Sequence, residues 1–304
     1  MPRCSTSRWL DDDLFKDHAR TIALFNGMVR RGLEISWDAS NGVIASSCTD
    51  EIVAAAAESG CVALIVGMES GNPRILREIR KPGTVDVFLR ASEVFQRYEQ
   101  INSSAYLIIG FPGETLSMIQ DTVDASLQMN LDWYRIKTLQ PLPNTPIYDT
   151  MLADGLLPDA DKREVRYITG GYGRSHAIDL SGAGEDALRN PMDGGLPEDH
   201  IPDAAQLDEV WFHMNYALNY QRVCRETRPV KLEQQRLFLD TICDVIAPGN
   251  ALALYTKGMV QAKLGRGSTA ELVSQLSERL DGSAYWQQRF DALGLRVADL
   301  ERAA

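Results

Sequence analysis

Along the first half of the chain, short apolar runs alternate with polar turns and with stretches whose apolar residues recur every three or four positions. Arg8–Leu10, Glu34–Ala39, Val62–Val66, Ala105–Ile109 and Trp133–Leu139 read as strands. Between them, Phe15, Ala19, Ile22, Val29 and Leu33 share one helical face, as do Val85, Phe88, Leu89, Ser92 and Phe95, and later Met118, Ile119, Thr122 and Val123. VALIV and YLII are apolar at every position, as expected of parallel strands covered by helices. Thr115 and the pair Thr49-Asp50 are placed to cap helix starts, and Gly32 and Gly60 to end helices. The opening MPRCSTS fits no strand pattern. Alternating βα units give an α/β fold, either a barrel or a doubly wound sheet.

The character changes after Tyr148. Residues 151–205 are rich in Gly, Asp and Pro and read as an irregular connection, with a Gly170–Arg174 loop (GGYGR) of glycine-rich, lid-like composition. From 206 to 304 the pattern is helical, with helices expected at Ala204–Arg225, Lys231–Ala247, Ala251–Leu264, Ser268–Leu280 and Ala284–Leu293. The aromatic stretch from Trp211 to Tyr220 reads as a helix core face rather than a pocket lining, and His213 as a packed histidine rather than a ligand.

Composition narrows the function. The chain has 304 residues and a formal net charge of −11, which argues against tight binding to a phosphate backbone. No apolar run approaches the roughly 18 to 20 residues of a spanning helix, and no secretory h-region follows Met1, so a cytoplasmic protein with no membrane partner is expected. Cys4, Cys48, Cys61, Cys224 and Cys243 are odd in number and irregularly spaced, which opposes a disulfide framework. No CxxC occurs, and the four histidines are scattered, so no local metal site is indicated.

In a barrel of βα units, ligands bind at the C-terminal ends of the strands. The unusual residues of this chain fall there in series. Asp11, Asp12 and Asp13 follow the first strand, and Asp38, Ser40 and Asn41 the second. GMESG (67–71), GFPGET (110–115) and QPLPNTP (140–146) follow the third, fourth and fifth. Each has a plain alternative: the acidic triplet as a solvated helix start, GMESG as a tight turn, QPLPNTP as a proline-stiffened loop. GMESG is not the GxGxxG of dinucleotide-binding folds.

Taken in order, WLDDDLF, ISWDASN, GMESGNPRILREIRKP, LIIGFPGET and LQPLPNTPIYD resemble successive signatures of the radical S-adenosylmethionine (SAM) superfamily. They are most similar to the branch that often carries a cobalamin-binding domain. The resemblance covers Arg8 to Tyr148, about half the chain. It implies a partial (βα) TIM-type barrel over 1–150, then the connection, then a mostly helical C-terminal domain. It also implies SAM contacts. Asp11, Asp12 and Asp13 would meet the amino group, Glu69 and Ser70 would face the ribose beside Ser40, and Lys81 would meet the carboxylate. Ile108, Gly110, Pro112 and Glu114 would flank the adenine, with Gln140 and Leu142 closing its other side.

The departure is in the metal ligands. The family's CxxxCxxC loop supplies three thiolates to a 4Fe-4S cluster, and this sequence has no such motif. The resemblance therefore implies an inactive fragment of a longer enzyme, starting near the family's second strand. In its complete form that enzyme would act on a small-molecule substrate, draw on an electron donor, and use cobalamin for methyl transfer or rearrangement. Two rivals remain open. One is a non-catalytic module that binds SAM or a nucleotide, or that a partner chain completes. The other is a SAM-independent barrel enzyme using Glu69 or one of Asp11–Asp13 as a general base.

Overall fold

A computed structural model describes residues 5–11, 13–155, 189–266 and 269–303. Cys4, Asp12, the side chain of Ser40 and the GGYGR loop lie outside the described residues. The first half alternates β1 (Ser5–Arg8), α1 (His18–Arg30), β2 (Ile35–Val43), α2 (Asp50–Glu58), β3 (Cys61–Glu69), α3 (Pro73–Glu78), α4 (Val85–Phe95), β4 (Asn102–Ile109), α5 (Leu116–Met129), β5 (Trp133–Thr138) and α6 (Pro146–Ala153).

The strands form one parallel sheet in the order β1-β2-β3-β4-β5. Sequential order without reversal separates the two candidate architectures. A doubly wound sheet turns back at a switch point, whereas a barrel wall adds each strand beside the last. Right-handed crossovers then keep every helix on one face, and α1, α2, α4 and α5 pack there side by side. Their core includes Phe25 stacked on Trp37 at 4.9 Å between ring centroids.

Local chemistry sets the element ends. Asp17, Thr49, Asn72, Thr115 and Thr145 each accept a backbone N–H from the first turn of the helix that follows. Gly60 has φ +96°, and a Cβ there would lie 2.1 Å from the Ile35 carbonyl oxygen. Only glycine fits where α2 turns into β3.

Three strand assignments need correction. The first strand is Ser5–Arg8, not Arg8–Leu10, and so draws on the MPRCSTS stretch. Its residues are polar because it is defined by parallel pairing with β2, from Ser5 opposite Ile35 to Arg8 opposite Asp38, rather than by its own pattern. The second and third strands run on through Val43 and Glu69, so Asp38, Ser40, Asn41 and Gly67–Glu69 lie within strands. Register shifts between Ala39 and Val43 and between Gly67 and Glu69 re-aim these last residues.

The C-terminal half is helical: α7 (Ala204–Asn215), α8 (Gln221–Arg225), α9 (Pro229–Thr241), α10 (Ala251–Leu264), α11 (Ala270–Asp281), α12 (Ala284–Leu293) and α13 (Val297–Ala303). Ala204–Arg225 is continuous as expected, but Tyr216–Tyr220 within it is a π-helical turn, and a second follows α9 at Ile242–Ile246. The first of these turns has a purpose. Asn219 Nδ2 donates to the Tyr134 carbonyl, and Asn219 Oδ1 accepts from the Tyr134 N–H. One side-chain amide thereby replaces a neighbouring strand along β5. Trp211 Nε1 donates to the Ile136 carbonyl, and Arg222 and Gln235 donate to that of Asp132. The β5 edge is thus sealed by the helical half.

Below the sheet, Lys231 Nζ meets Asp132 Oδ2 at 2.6 Å with both side chains 4% exposed. Asp132 Oδ2 also accepts from the Ser103 N–H and hydroxyl, and Lys231 donates to the Ile101 carbonyl. Trp211, Phe212, Met214 and Tyr220 are buried in a hydrophobic core that is continuous with that of the βα half. No helix among the described residues is long and apolar enough to cross a membrane.

Candidate functional site

The strand ends converge as the fold requires, and each predicted residue takes a definite place. At the end of β3, Glu69 has φ +67°, in the left-handed region that a side chain rarely adopts. Its Oε1 accepts from Lys81 Nζ at 3.0 Å, with both side chains largely covered. A Cβ on Gly67 would fall 2.8 Å from Glu69 Oε1 and 2.9 Å from Lys81 Nζ. The backbone therefore turns sharply so that a carboxylate and an ammonium fold back over a glycine. Lys81, expected to meet a ligand carboxylate, is engaged with Glu69.

Ser70 does not open onto this site. It is fully buried, its Oγ lies 3.2 Å from Thr122 Oγ1 on α5, and it accepts from the Asn72 N–H. Gly71 is pressed against the same helix, where a Cβ would lie 2.6 Å from the Asp121 carbonyl. Ser70 and Gly71 thus tie the β3 turn to α5.

At the end of β4, Glu114 folds back over the GFPGE loop. Its Oε2 accepts from the N–H groups of Gly110 at 2.6 Å and Phe111 at 3.1 Å. Its Oε1 is buried with no hydrogen-bond partner. Burial pushes the carboxyl up to about 7, against the lowering effect of those two N–H donors. Gly110 has φ +87°, and a Cβ there would sit 3.1 Å from Leu207 of α7, so the helical half abuts the loop. Ile108 and Pro112 are partly exposed.

The remaining residues rim this end of the sheet. Asp11 Oδ1 accepts from the Asp13 N–H, and Asp11 Oδ2 lies 4.0 Å from Arg20 Nη2. Asp13 Oδ1 accepts from the Phe15 N–H, while its Oδ2 is buried and unpartnered. Gln140 is partly buried after β5, and Leu142 is 62% exposed. Leu142 does not close over a neighbour here. The segment before α7 also reaches the site: the His200 and Glu198 carbonyls accept from the N–H groups of Leu116 and Ser117 at the start of α5. That contact carried no sequence signal, because it is made by backbone.

The donor set does not fit an iron–sulfur cluster. Among the described residues no group of three His, Cys, Asp or Glu could hold a metal ion. Cys48 and Cys61 are buried, and burial pushes both thiols far up. Burial also raises Cys224, and pushes Cys243 up to about 11. A 4Fe-4S cluster needs three thiolates converging on one point, and no such convergence occurs among the described residues. Two acceptors at this end remain to be matched by chemistry: the orphan Asp13 Oδ2 suits an ammonium, and the Glu69 carboxylate suits hydroxyl donors.

Residues 10–125 match the family model of the radical SAM superfamily. An uncharacterised methyltransferase of Pyrococcus horikoshii is 29% identical over 149 residues, which are 49% of this chain and 32% of that protein. Bacteriochlorophyllide d C-12(1)-methyltransferase of Chlorobaculum tepidum is 26% identical, covering 47% of this chain and 31% of its own length. The chain spans about a third of the length of these curated relatives. The radical SAM methyltransferase TsrM of Kitasatospora setae, solved with cobalamin and a 4Fe-4S cluster, aligns with a TM-score of 0.43 and 18% identity, over 49% of this chain and 30% of that one.

Proposed function

We propose that residues 10–125, which match the family model of the radical SAM superfamily, supply the SAM-binding strand ends of a methyltransferase-type enzyme. The observation that carries the proposal is the folded-back Glu69–Lys81 pair over Gly67, one strand from the Glu114-capped loop. Glu69 offers its second oxygen to the ribose. Asp13 and Asp11 take the ammonium. Ile108, Gly110 and Pro112 form one wall of an adenine slot, with Gln140 opposite. Lys81 acts by positioning Glu69.

In the superfamily SAM works with a 4Fe-4S cluster, which supplies the electron that cleaves it. The described residues of this chain do not fit that cluster, so no step through it is assigned to them. Cobalamin-linked methyl transfer is the reaction class we propose for the whole protein, supported by methyltransferases among the relatives. An observation favours a second reading as well. A SAM-facing rim without a thiolate triad among the described residues is what a binding module, or one completed by another chain, would show. A general-base role for Glu69 is disfavoured, since that carboxylate is committed to Lys81.

Calorimetric titration of the iron-free chain with SAM tests the proposal. Saturable binding is expected, weakened at least about tenfold by Glu69→Ala through loss of a charge-assisted hydrogen bond. Absence of binding, or an unchanged affinity in the variant, would remove the ribose assignment.

A further inference from the structure

The face of the sheet opposite the helices carries groups that the SAM reading leaves unused. Strand register sets Gly67, Tyr106 and Arg135 in one row across β3, β4 and β5. The side chains of Tyr106 and Arg135 point away from the helices of the first half. The neighbours of Arg135 settle this, because Tyr134 donates its hydroxyl to the Ser126 carbonyl of α5 and Ile136 is buried. One step toward the C-terminal ends, Ile108 lies beside Lys137 in the same register. One step the other way, Trp133 is buried with its ring edge-on to Tyr220 and Phe238, which gives the row a closed floor.

Arg135 is the unusual member. Its guanidinium carbon lies 5.6 Å from the centroid of the Tyr106 ring. Its Nε is buried and has no hydrogen-bond partner. Arg222 and Arg289 also bury an unpartnered Nε, but the terminal nitrogens of Arg289 pair with Glu209 and Arg222 Nη2 donates to the Asp132 carbonyl, whereas no acceptor among the described residues meets the half-buried Arg135. Leaving a guanidinium N–H buried and unsatisfied is costly, and such a group commonly marks a place where a ligand supplies the acceptor. Stacking on Tyr106 fixes the plane of the fork in advance, which lowers the ordering cost of binding. Lys137, exposed and on the same face two residues on, adds a second positive charge about 7 Å along the strand. A planar fork beside an ammonium matches a carboxylate or a phosphate.

We propose that Arg135, held by Tyr106 and supported by Lys137, binds an oxyanion group of the substrate on the concave face of the sheet. The word substrate rests on the SAM reading of the neighbouring strand ends; the oxyanion site itself does not. The Glu69–Lys81 pair sits over Gly67, two strands from Arg135, or roughly 10 Å. A small molecule of about that length, lying between the two, would place its anionic end at Arg135.

The test is nuclear magnetic resonance of the full chain, titrated separately with inorganic phosphate and with acetate at fixed ionic strength. The expected result is a saturable shift of the Arg135 Nε–H signal and of the backbone amides of residues 104–108 and 133–137, with one of the two anions. The anion that saturates names the substrate group as phosphate or carboxylate. Lys137→Gln, a change on an exposed side chain, should weaken that binding by about threefold to tenfold, and Arg135→Gln should abolish saturation. Linear, unsaturating shifts with both anions would overturn the proposal, as would wild-type affinity in Lys137→Gln and Arg135→Gln. If Arg135→Gln fails to fold, the wild-type titration and Lys137→Gln decide. A SAM titration on the same sample separates the two readings: anion binding without SAM binding keeps this site and removes the SAM assignment.

Discussion

Glu114 folds back onto the two residues that begin its own loop, and its chemistry follows from where that leaves it. One oxygen holds the Gly110 and Phe111 N–H groups, and the other is buried alone. The carboxyl is raised from its ordinary 4.5 to about 7, chiefly by burial. A raised acid means that the folded chain holds a proton that the unfolded chain has released between these values. Stability is therefore full below about pH 4.5 and falls as pH rises to about 7, by on the order of 3 kcal/mol. Urea denaturation of wild type at pH 5 and pH 7.5 should show this slope. Glu114→Gln should flatten it, because its amide oxygen still accepts from the loop and its NH2 carries no charge. An unaltered slope in the variant would place the titration elsewhere. The motif around Glu114 was legible in the sequence; its orphan oxygen was not, since burial is a property of the folded packing, and the loop it caps is abutted at Gly110 by Leu207, far along the chain. Ser70 shows the converse. Its motif suggested a ligand contact, but its side chain is spent on Thr122.

Among the elements, β5 and the π-turn after α7 depend on each other. Asn219 supplies both donor and acceptor to Tyr134, a pairing that a strand would otherwise make. Asn219→Leu leaves one N–H and one carbonyl buried without partners and should destabilise the protein by about 2–5 kcal/mol. Hydrogen exchange at the Tyr134 amide should accelerate with it; a protected amide in the variant would show that β5 is held by other means. At the other end of the sheet, Gly71→Ala would drive a Cβ to 2.6 Å from the Asp121 carbonyl. The expected outcome is a shift of the β3 turn away from α5, measured as weaker SAM binding together with a lowered melting temperature; unchanged values of both would contradict the packing. Four of the strands and helices α1, α2, α4 and α5 were legible because apolar runs and caps repeat locally. The first strand was not, because β2 rather than its own residues defines it. Short α3 and α6 announced themselves only by a cap and a proline, Asn72-Pro73 and Thr145-Pro146. The π-turns left no periodic signature at all.

At the scale of the molecule, the βα half and the helical half share one core and a buried ion pair. Lys231 and Asp132 meet beneath the sheet, where Asp132 Oδ2 also accepts from Ser103 and Lys231 also donates to the Ile101 carbonyl. Removing one partner strands the other: Asp132→Ala should cost about 3–5 kcal/mol. Because the core is continuous, thermal unfolding should remain a single transition in wild type, and calorimetry resolving two would show that the halves fold separately. Composition could not reveal this union, since it rests on contacts between residues about a hundred positions apart, such as Asp132 with Lys231. The match of residues 10–125 to the radical SAM family model was legible from the ordered strand-end motifs, whereas Arg135 was passed over because a lone arginine within a strand has no pattern around it.

The most direct measurement is backbone amide shift mapping of the iron-free chain with SAM. The account predicts saturable shifts concentrated at Asp11–Asp13, Gly67–Lys81, Gly110–Glu114 and Gln140, with α9 to α13 unmoved. Shifts confined to the helical half, or none on addition of excess SAM, would contradict it.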